Sequence, residues 1–360
     1  DDSLSGTPGS TVSLATRPPV VIPPTPGETT AVPRDDPSTA GPAAPRETGP
    51  RPVVFKAEPT RGTDLQVTLD LAMQRKAERI LASQKSPTAM AVLDPDTGAA
   101  LVLAVSDSAE GRPLATTGRY APGSTFKVVT SLALLRQGLT PESMVNCPQR
   151  TVVDGRVIEN YDDFPRSRVG RMRLLDALAL SCNTAFVNER DKLSGPRIRG
   201  AAVSLGMGQD HDAGFPSFFG SVPDPANVVG LAEASFGQGT VQASPMSMAA
   251  VAASVSAGRT RVPYLISDNR PEQDGKPLTA GEAKDLQAMM GAVVKSGSGR
   301  SLGKLVTGAK TGTAEYGTKK PPKTHAWMMA YTSDLAIAVL VTDGRSGSGS
   351  AGPLIKQFLS

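Results

Sequence analysis

Ser124 and Lys127 stand three residues apart in Pro122-Gly123-Ser124-Thr125-Phe126-Lys127, at the head of an apolar run over 128–135. Pro122 and Gly123 break the chain just before that run and Gly138 closes it, as at the two ends of a buried helix. The spacing predicts a helix with Ser124 in its first turn and Lys127 one turn further along the same face. Backbone N–H groups are unpaired there, and the helix dipole favours developing negative charge. A neutral amine within reach of a hydroxyl can take its proton. The local chemistry is that of an activated serine nucleophile. The bland alternative is an N-cap serine beside a solvent-facing lysine. A second Ser-x-x-Lys, Ser301-Leu302-Gly303-Lys304, carries an internal glycine and follows Ser296-Gly297-Ser298-Gly299, so it reads as a flexible loop.

Two further stretches favour chemistry. Ser181-Cys182-Asn183 lies at the junction of two helical segments, where a hydroxyl and a carboxamide can point together into a cleft. The hydroxyl can relay a proton while the carboxamide orients an amide substrate. Helix capping is the competing explanation. Ser267-Asp268-Asn269 offers a similar trio, but it follows Pro263-Tyr264-Leu265-Ile266 and precedes Arg270-Pro271, which is a strand-to-loop turn. The third stretch, Lys310-Thr311-Gly312-Thr313, holds the only Lys-Thr-Gly of the chain and sits in a predicted strand. Glycine weakens a strand unless something must approach its backbone closely. Lys310, Thr311 and Thr313 would line that approach with a cation and two hydroxyls, a receptor for a carboxylate. The backbone N–H of Thr313, facing that of Ser124, would make an oxyanion hole. An edge strand with a bulge glycine would explain Gly312 but not the flanking donors.

These residues need a scaffold. The chain has 360 residues with 39% hydrophobic content, enough for one large domain with an appendage or for two domains. Residues 1–60 are punctuated by proline in a Thr/Ala/Gly/Ser background and cannot pack a core; they are expected to be largely disordered apart from short strands at 10–15 and 53–55. From 61 onward the pattern is that of a folded domain. Residues 65–69 alternate like a strand, and Asp70 caps a helix carrying Met73, Ala77, Ile80 and Leu81 on one face. Runs at 89–93 and 100–105 flank Asp94-Pro95-Asp96-Thr97-Gly98, a hairpin signal. The section 124–257 reads as mostly helical, with helices over 174–180, 184–193, 197–205 and 246–256. Strands return at 309–314, 326–331 and 335–342, before a terminal helix near 354–359. Strands from both ends of the chain with helices between them imply an α+β fold: one antiparallel sheet with a helical lobe inserted.

Net charge is +4 with a pI of about 9.1, and no basic cluster is interleaved with aromatics, so no nucleic-acid partner is expected. His211 and His325 are the only histidines and Cys147 and Cys182 the only cysteines, which leaves little for a metal site or a Ser-His-Asp arrangement. No glycine-rich phosphate loop follows a strand. No cofactor is expected, and lysine is left to act as the base. The chain starts at Asp1 without methionine and has no apolar run able to span a bilayer, so it reads as a mature secreted protein or one whose anchor is missing.

Ser-x-x-Lys, Ser-x-Asn and Lys-Thr-Gly in that order resemble the penicillin-binding protein and serine β-lactamase superfamily. The segments 64–70 and 120–124, with Gly237-Gln238-Gly239 and His325-Ala326-Trp327, are similar to class B transpeptidase domains. Leu4-Ser5-Gly6-Thr7-Pro8-Gly9 is similar to part of that class's pedestal module, so 1–60 would be a truncated pedestal remnant and linker and 61–360 the transpeptidase domain. The resemblance implies a transpeptidase/β-lactamase-like α/β fold, with a five-stranded antiparallel sheet flanked by helices and an inserted all-helical lobe. It implies Ser124 as nucleophile, Lys127 as base, Lys310 as a like charge keeping Lys127 neutral, and Ser181 as proton relay. Asn183 would hold the donor amide, while Lys310, Thr311 and Thr313, around Gly312, would bind the terminal carboxylate. The implied reaction is D,D-transpeptidation of peptidoglycan stem peptides, with β-lactams as acylating mimics. The implied location is the extracytoplasmic face of the bacterial membrane, beside cell-division or elongation proteins. D,D-carboxypeptidase, class D-like β-lactamase, macrocyclising thioesterase and non-catalytic sensor remain alternatives on the same residues. An extracellular address permits a Cys147–Cys182 disulfide; a free buried Cys182 behind the motif is the other possibility.

Overall fold

The computed structural model describes residues 11–12, 64–272, 275–318 and 321–360. Thr11–Val12 (β1) pairs antiparallel with Leu65–Gln66 (β2); the rest of 1–60, with the pedestal remnant and linker read from it, lies outside the described residues. β2 is shorter than the strand expected over 65–69. Beyond it Thr68 donates its N–H to Leu265 O at 2.9 Å and its hydroxyl to Ala100 O at 2.7 Å, which pulls the chain out of the pairing. Asp70 then caps Leu71–Leu81 (α1), accepting from Met73 N at 2.8 Å. Thr88–Leu93 (β3) and Ala100–Val105 (β4) form the expected hairpin, its turn held by Asp94 Oδ1 on the Asp96 N–H at 2.7 Å. After the short helix Leu114–Thr117 (α2), a 3-10 turn over Gly123–Phe126 runs straight into Lys127–Leu135 (α3).

The lobe that follows is not all helical. It opens with Met144–Cys147 (β5), Arg150–Val153 (β6), Arg156–Glu159 (β7) and Gly170–Arg173 (β8), paired as two ribbons, β5 with β8 and β6 with β7. Asp154 and Gly155 take φ of 46° and 76° between β6 and β7, the conformation that an Asp-Gly turn favours. That dipeptide signals the hairpin in the sequence. The helices are Leu174–Ala179 (α4), Asn183–Asn188 (α5), Gly195–Ser204 (α6), Val228–Ala234 (α7) and Pro245–Ala257 (α8). A further helix, Ala280–Ser296 (α9), forms despite Gly281 and Gly291 in its pattern, with Thr279 and Glu282 as a capping box at its start. The chain ends with Gly308–Tyr316 (β9), Lys323–Tyr331 (β10), Ala336–Val341 (β11) and Gly352–Leu359 (α10).

The main sheet is five-stranded and antiparallel throughout, in the order β4-β3-β11-β10-β9. Alternate residues of each strand enter different cores. Ala91, Leu93, Trp327, Met329, Ala338 and Leu340 face the helical lobe. Met90, Val92, Met328, Ala330, Ile337 and Val339 face α1 and α10 through Leu81, Ile355 and Phe358. With both faces covered, the strands read as nearly continuous apolar runs. α8 crosses the lobe-side face of the sheet and is buried from Pro245 to Val255, so it is apolar all round. Each fully buried Leu, Val or Met in these layers contributes roughly 1.5–3 kcal/mol. The sheet is thus a rigid plate whose edge strand, β9, carries Lys310, Thr311, Gly312 and Thr313.

Candidate active site

Ser124 lies in the 3-10 turn and Lys127 is the first residue of α3, so the segment supplies hydroxyl and amine on one face as its spacing predicts. The turn is wedged between two backbones. Gly123 has φ of 53°, donates to Gly237 O at 2.9 Å, and would place a Cβ only 2.6 Å from Thr313 O. On β9, Gly312 would place one 2.7 Å from Pro122 O and 2.9 Å from Thr125 Cγ2. Gly312 pairs regularly with Trp327, so it marks a close approach and not a bulge. Trp327 Nε1 donates to Ala121 O at 2.9 Å and ties the approach to the turn from β10.

Lys127 Nζ lies 2.9 Å from Ser124 Oγ, donates to Asn183 Oδ1 at 2.7 Å and Ser181 O at 2.8 Å, and lies 3.4 Å from Ser181 Oγ. Ser181 joins α4 to α5 with φ of 60°, a left-handed conformation that turns its carbonyl and hydroxyl toward the same amine. Lys310 Nζ completes the chain, donating to Ser181 Oγ at 2.9 Å and to Thr311 O at 2.8 Å. Both lysines are fully buried. Burial, then the charge of Lys310, holds the Lys127 amine well below its ordinary range; burial alone brings Lys310 down to about 7. The network therefore runs from Ser124 through Lys127 and Ser181 to Lys310, with an amine whose protonation is disfavoured by burial and by a like charge beside a hydroxyl.

The cleft over this network has a volume of about 1320 Å³ and is lined by Ser124, Ser181, Asn183, Thr311, Gly312 and Thr313 among others. Lys127 and Lys310 lie beneath its floor. Two of the Lys310 donors are engaged by Ser181 Oγ and Thr311 O, so the side chain meets the cleft through these neighbours. The hydroxyls that reach the cleft on that side are Thr311, Thr313 and Ser298, with Ser298 Oγ 2.6 Å from Thr311 Oγ1. Ser298, in the glycine-serine stretch that predicts a flexible loop, has its N–H pinned to Ala179 O at 3.0 Å. Asn160 and Tyr161, behind and beside the Ser-x-Asn segment, were also missed, because their role depends on contacts remote in sequence.

Cys147 and Cys182 are joined as a disulfide with Cα atoms 6.3 Å apart, so the cross-link passes through the middle residue of the Ser-x-Asn segment. The decoys lie elsewhere. Ser301 sits on an exposed 3-10 turn over Arg300–Leu305, and Asn269 Nδ2 holds a turn by donating to Asp212 O at 2.9 Å. His325 is occupied by Thr342 O at 2.7 Å and by stacking on Tyr316 at 4.0 Å. Among the described residues no helix is long and apolar enough to cross a membrane, and no group of His, Cys, Asp or Glu could hold a metal.

A lobed α/β domain with Ser-x-x-Lys, Ser-x-Asn and Lys-Thr-Gly converging on one cleft has the architecture of the penicillin-binding protein and serine β-lactamase class. Within it the chain belongs to the penicillin binding protein transpeptidase domain family, whose model matches residues 88–360. It is 32% identical over 249 residues to the peptidoglycan D,D-transpeptidase PbpA of Mycolicibacterium smegmatis, covering 62% of this chain and 50% of that protein. To the peptidoglycan D,D-transpeptidase MrdA of Acinetobacter baumannii it is 25% identical, over 84% of this chain and 54% of that protein. The chain thus spans about half the length of the curated relatives it matches. Penicillin-binding protein A from M. tuberculosis, solved as a ceftriaxone acyl-enzyme complex, superposes with a TM-score of 0.72 at 26% identity, covering 83% of this chain and 80% of that one.

Proposed function

We propose that this chain is the catalytic domain of a peptidoglycan D,D-transpeptidase that works through an acyl-serine intermediate outside the cytoplasm. The observation that carries the reading is the desolvated Lys127 amine, 2.9 Å from Ser124 Oγ and within reach of the Ser-x-Asn pair. Ser124 Oγ attacks the carbonyl of the terminal D-Ala-D-Ala amide while its proton passes to neutral Lys127. The tetrahedral oxyanion is stabilised where the backbone of Thr313 meets the N-terminal end of the nucleophile turn. Ser181, between the two lysines, delivers the proton to the leaving amine. Asn183 orients the donor amide through its second Nδ2 hydrogen, its first being held by Glu159 O at 2.9 Å. Thr311 and Thr313, assisted by Ser298, receive the terminal carboxylate, and Lys310 acts on it from below through Thr311. The amine of a second stem peptide then takes the acyl group. A β-lactam, as a carboxylated mimic of the donor, acylates the same serine. Partners of the whole protein fall, on this reading, among cell-wall assembly proteins.

Intact mass followed over hours with penicillin, and turnover of a stem-peptide thioester with and without an amine acceptor, test this reading. The expected result is a persistent adduct on the peptide bearing Ser124, absent in Ser124→Ala, with aminolysis exceeding hydrolysis. An adduct on the peptide bearing Ser301, or its rapid loss to water, would overturn it.

Two further outcomes follow from the site's construction. Gly312→Val must push β9 away from the nucleophile turn, since even a Cβ would meet backbone and side chain inside 3.0 Å. Penicillin acylation should slow at least about tenfold, because misplacement by about an ångström costs on the order of a hundredfold. Stopped-flow acylation at the wild-type rate would contradict that geometry. Reduction of the disulfide, whose partners are separated by 35 positions, should cost roughly 3–4 kcal/mol on the chain-entropy model. The melting temperature should fall and acylation slow together. Two free thiols in denatured, unreduced protein would remove the premise.

A further inference from the structure

We propose that Asn160 is a positioning residue that fixes the Ser-x-Asn segment against Lys127; the proposal rests on the reading of Ser124 as the acylated residue. α5 begins at Asn183, and a helix start leaves its first N–H groups without intrahelical partners. Local capping serves only one of them: Cys182 Sγ accepts from Ala185 N at 3.2 Å. The other two reach a residue more than twenty positions upstream. Asn160 Oδ1 accepts from Asn183 N at 2.8 Å and from Thr184 N at 3.2 Å. Its Nδ2 donates to Pro148 O at 3.0 Å, next to the disulfide's Cys147. These partners fix which end of the amide faces which way.

Asn160 is 5% exposed and its neighbours in sequence work on the same segment. Glu159 O accepts from Asn183 Nδ2 at 2.9 Å, and the Tyr161 hydroxyl donates to Leu180 O at 3.3 Å. Three consecutive residues thus hold three points of the stretch 180–184. That stretch contains Ser181 in its left-handed conformation, which persists only where surrounding contacts over-determine it. Its outcome is the position of Asn183 Oδ1, 2.7 Å from Lys127 Nζ. The side chain's neutrality matters equally. A carboxylate could accept from the same two N–H groups, but it would bring a negative charge toward Lys127 and stabilise the ammonium. The residue therefore sets both where the Ser-x-Asn pair stands and how readily the base stays neutral.

Asn160→Ala and Asn160→Asp separate these effects. Both variants are prepared with the disulfide verified by thiol titration, and penicillin G acylation is followed by stopped flow from mildly acidic to alkaline pH. Asn160→Ala should lower the alkaline-plateau rate about 10–100-fold, as loss of an outer positioning contact does elsewhere. The dissociation constant of the complex formed before acylation should stay within about twofold. Asn160→Asp retains the acceptor oxygen but sets a second oxygen against Pro148 O in place of the Nδ2 donor, so its plateau should fall less than that of Asn160→Ala, while its acid limb moves to higher pH. A merely structural residue would lower the melting temperature of both variants and leave the acid limb where it is. A wild-type plateau in Asn160→Ala, or an unmoved limb in Asn160→Asp, overturns the proposal. Should Asn160→Ala not fold, the limb of Asn160→Asp decides alone. Peptide mapping of the wild-type adduct keeps the two readings apart. An adduct away from Ser124 sinks both, whereas a normal plateau with the adduct on Ser124 sinks only the role of Asn160.

Discussion

Lys127→Ala should slow acylation of Ser124 by about three orders of magnitude, within the range a positioned general base supplies. The other buried amine, Lys310, is engaged by Ser181 Oγ at 2.9 Å and Thr311 O at 2.8 Å and makes no hydrogen bond to Ser124. The pH dependence has a fixed sign. The active form needs Lys127 neutral, so the wild-type rate should be flat on the alkaline side and fall about tenfold per pH unit once the amine protonates. Burial and Lys310 both depress that protonation, so the limb should lie well below the ordinary lysine range. Stopped-flow rates across pH check this. A limb near the ordinary lysine value, or a Lys127→Ala variant that acylates within tenfold of wild type, would remove lysine from the role of base.

Lys310→Met should lower the acylation rate about a hundredfold or more without lowering the melting temperature at neutral pH. Its Nζ anchors Ser181 Oγ, and its charge helps keep Lys127 deprotonated, so acylation loses both. Stability moves the other way. A lysine depressed from 10.5 to about 7 by burial carries a cost on the order of 5 kcal/mol at neutral pH. The folded form binds fewer protons than the unfolded chain between about 7 and 10.5, so this group makes wild-type stability rise with pH across that window. The variant should lose that part of the slope. Thermal melts near neutral and near alkaline pH, with acylation rates on the same samples, test both halves. A variant that melts well below wild type yet acylates normally would make Lys310 a packing residue.

What the sequence made legible divides by range of interaction. Asp70 with its helix, the 89–105 hairpin and the Ser124–Lys127 spacing depend on residues within a few positions of one another, and each appears in the structure as read. The conjunction of three short motifs identified the family even though no single one was specific. The β6–β7 hairpin was legible in Asp154-Gly155 but hidden by the assumption of a helical lobe. α9 was hidden by its glycines despite the Thr279–Glu282 capping box. Lys310 illustrates the opposite limit: its residue type suggested a cation at the substrate, while its full burial against Ser181 Oγ and Thr311 O depends on packing that no local pattern shows. Asn160 and Ser298 act through Asn183 and Thr311, partners that no local pattern names.

Gly312 is also approached from its other side. A Cβ on Gly347, in the turn before α10, would lie 2.9 Å from Gly312 N and O and 2.1 Å from Trp327 O. Main chain therefore lies close against main chain from Gly347 to Gly312 to the Pro122–Thr125 turn, with only the short, buried Thr125 side chain beside it. The turn that carries Ser124 is packed, through Gly312, against the turn that opens the carboxyl-terminal helix. A side chain at either glycine would have to displace main chain, so both ends of this stack are closed to substitution.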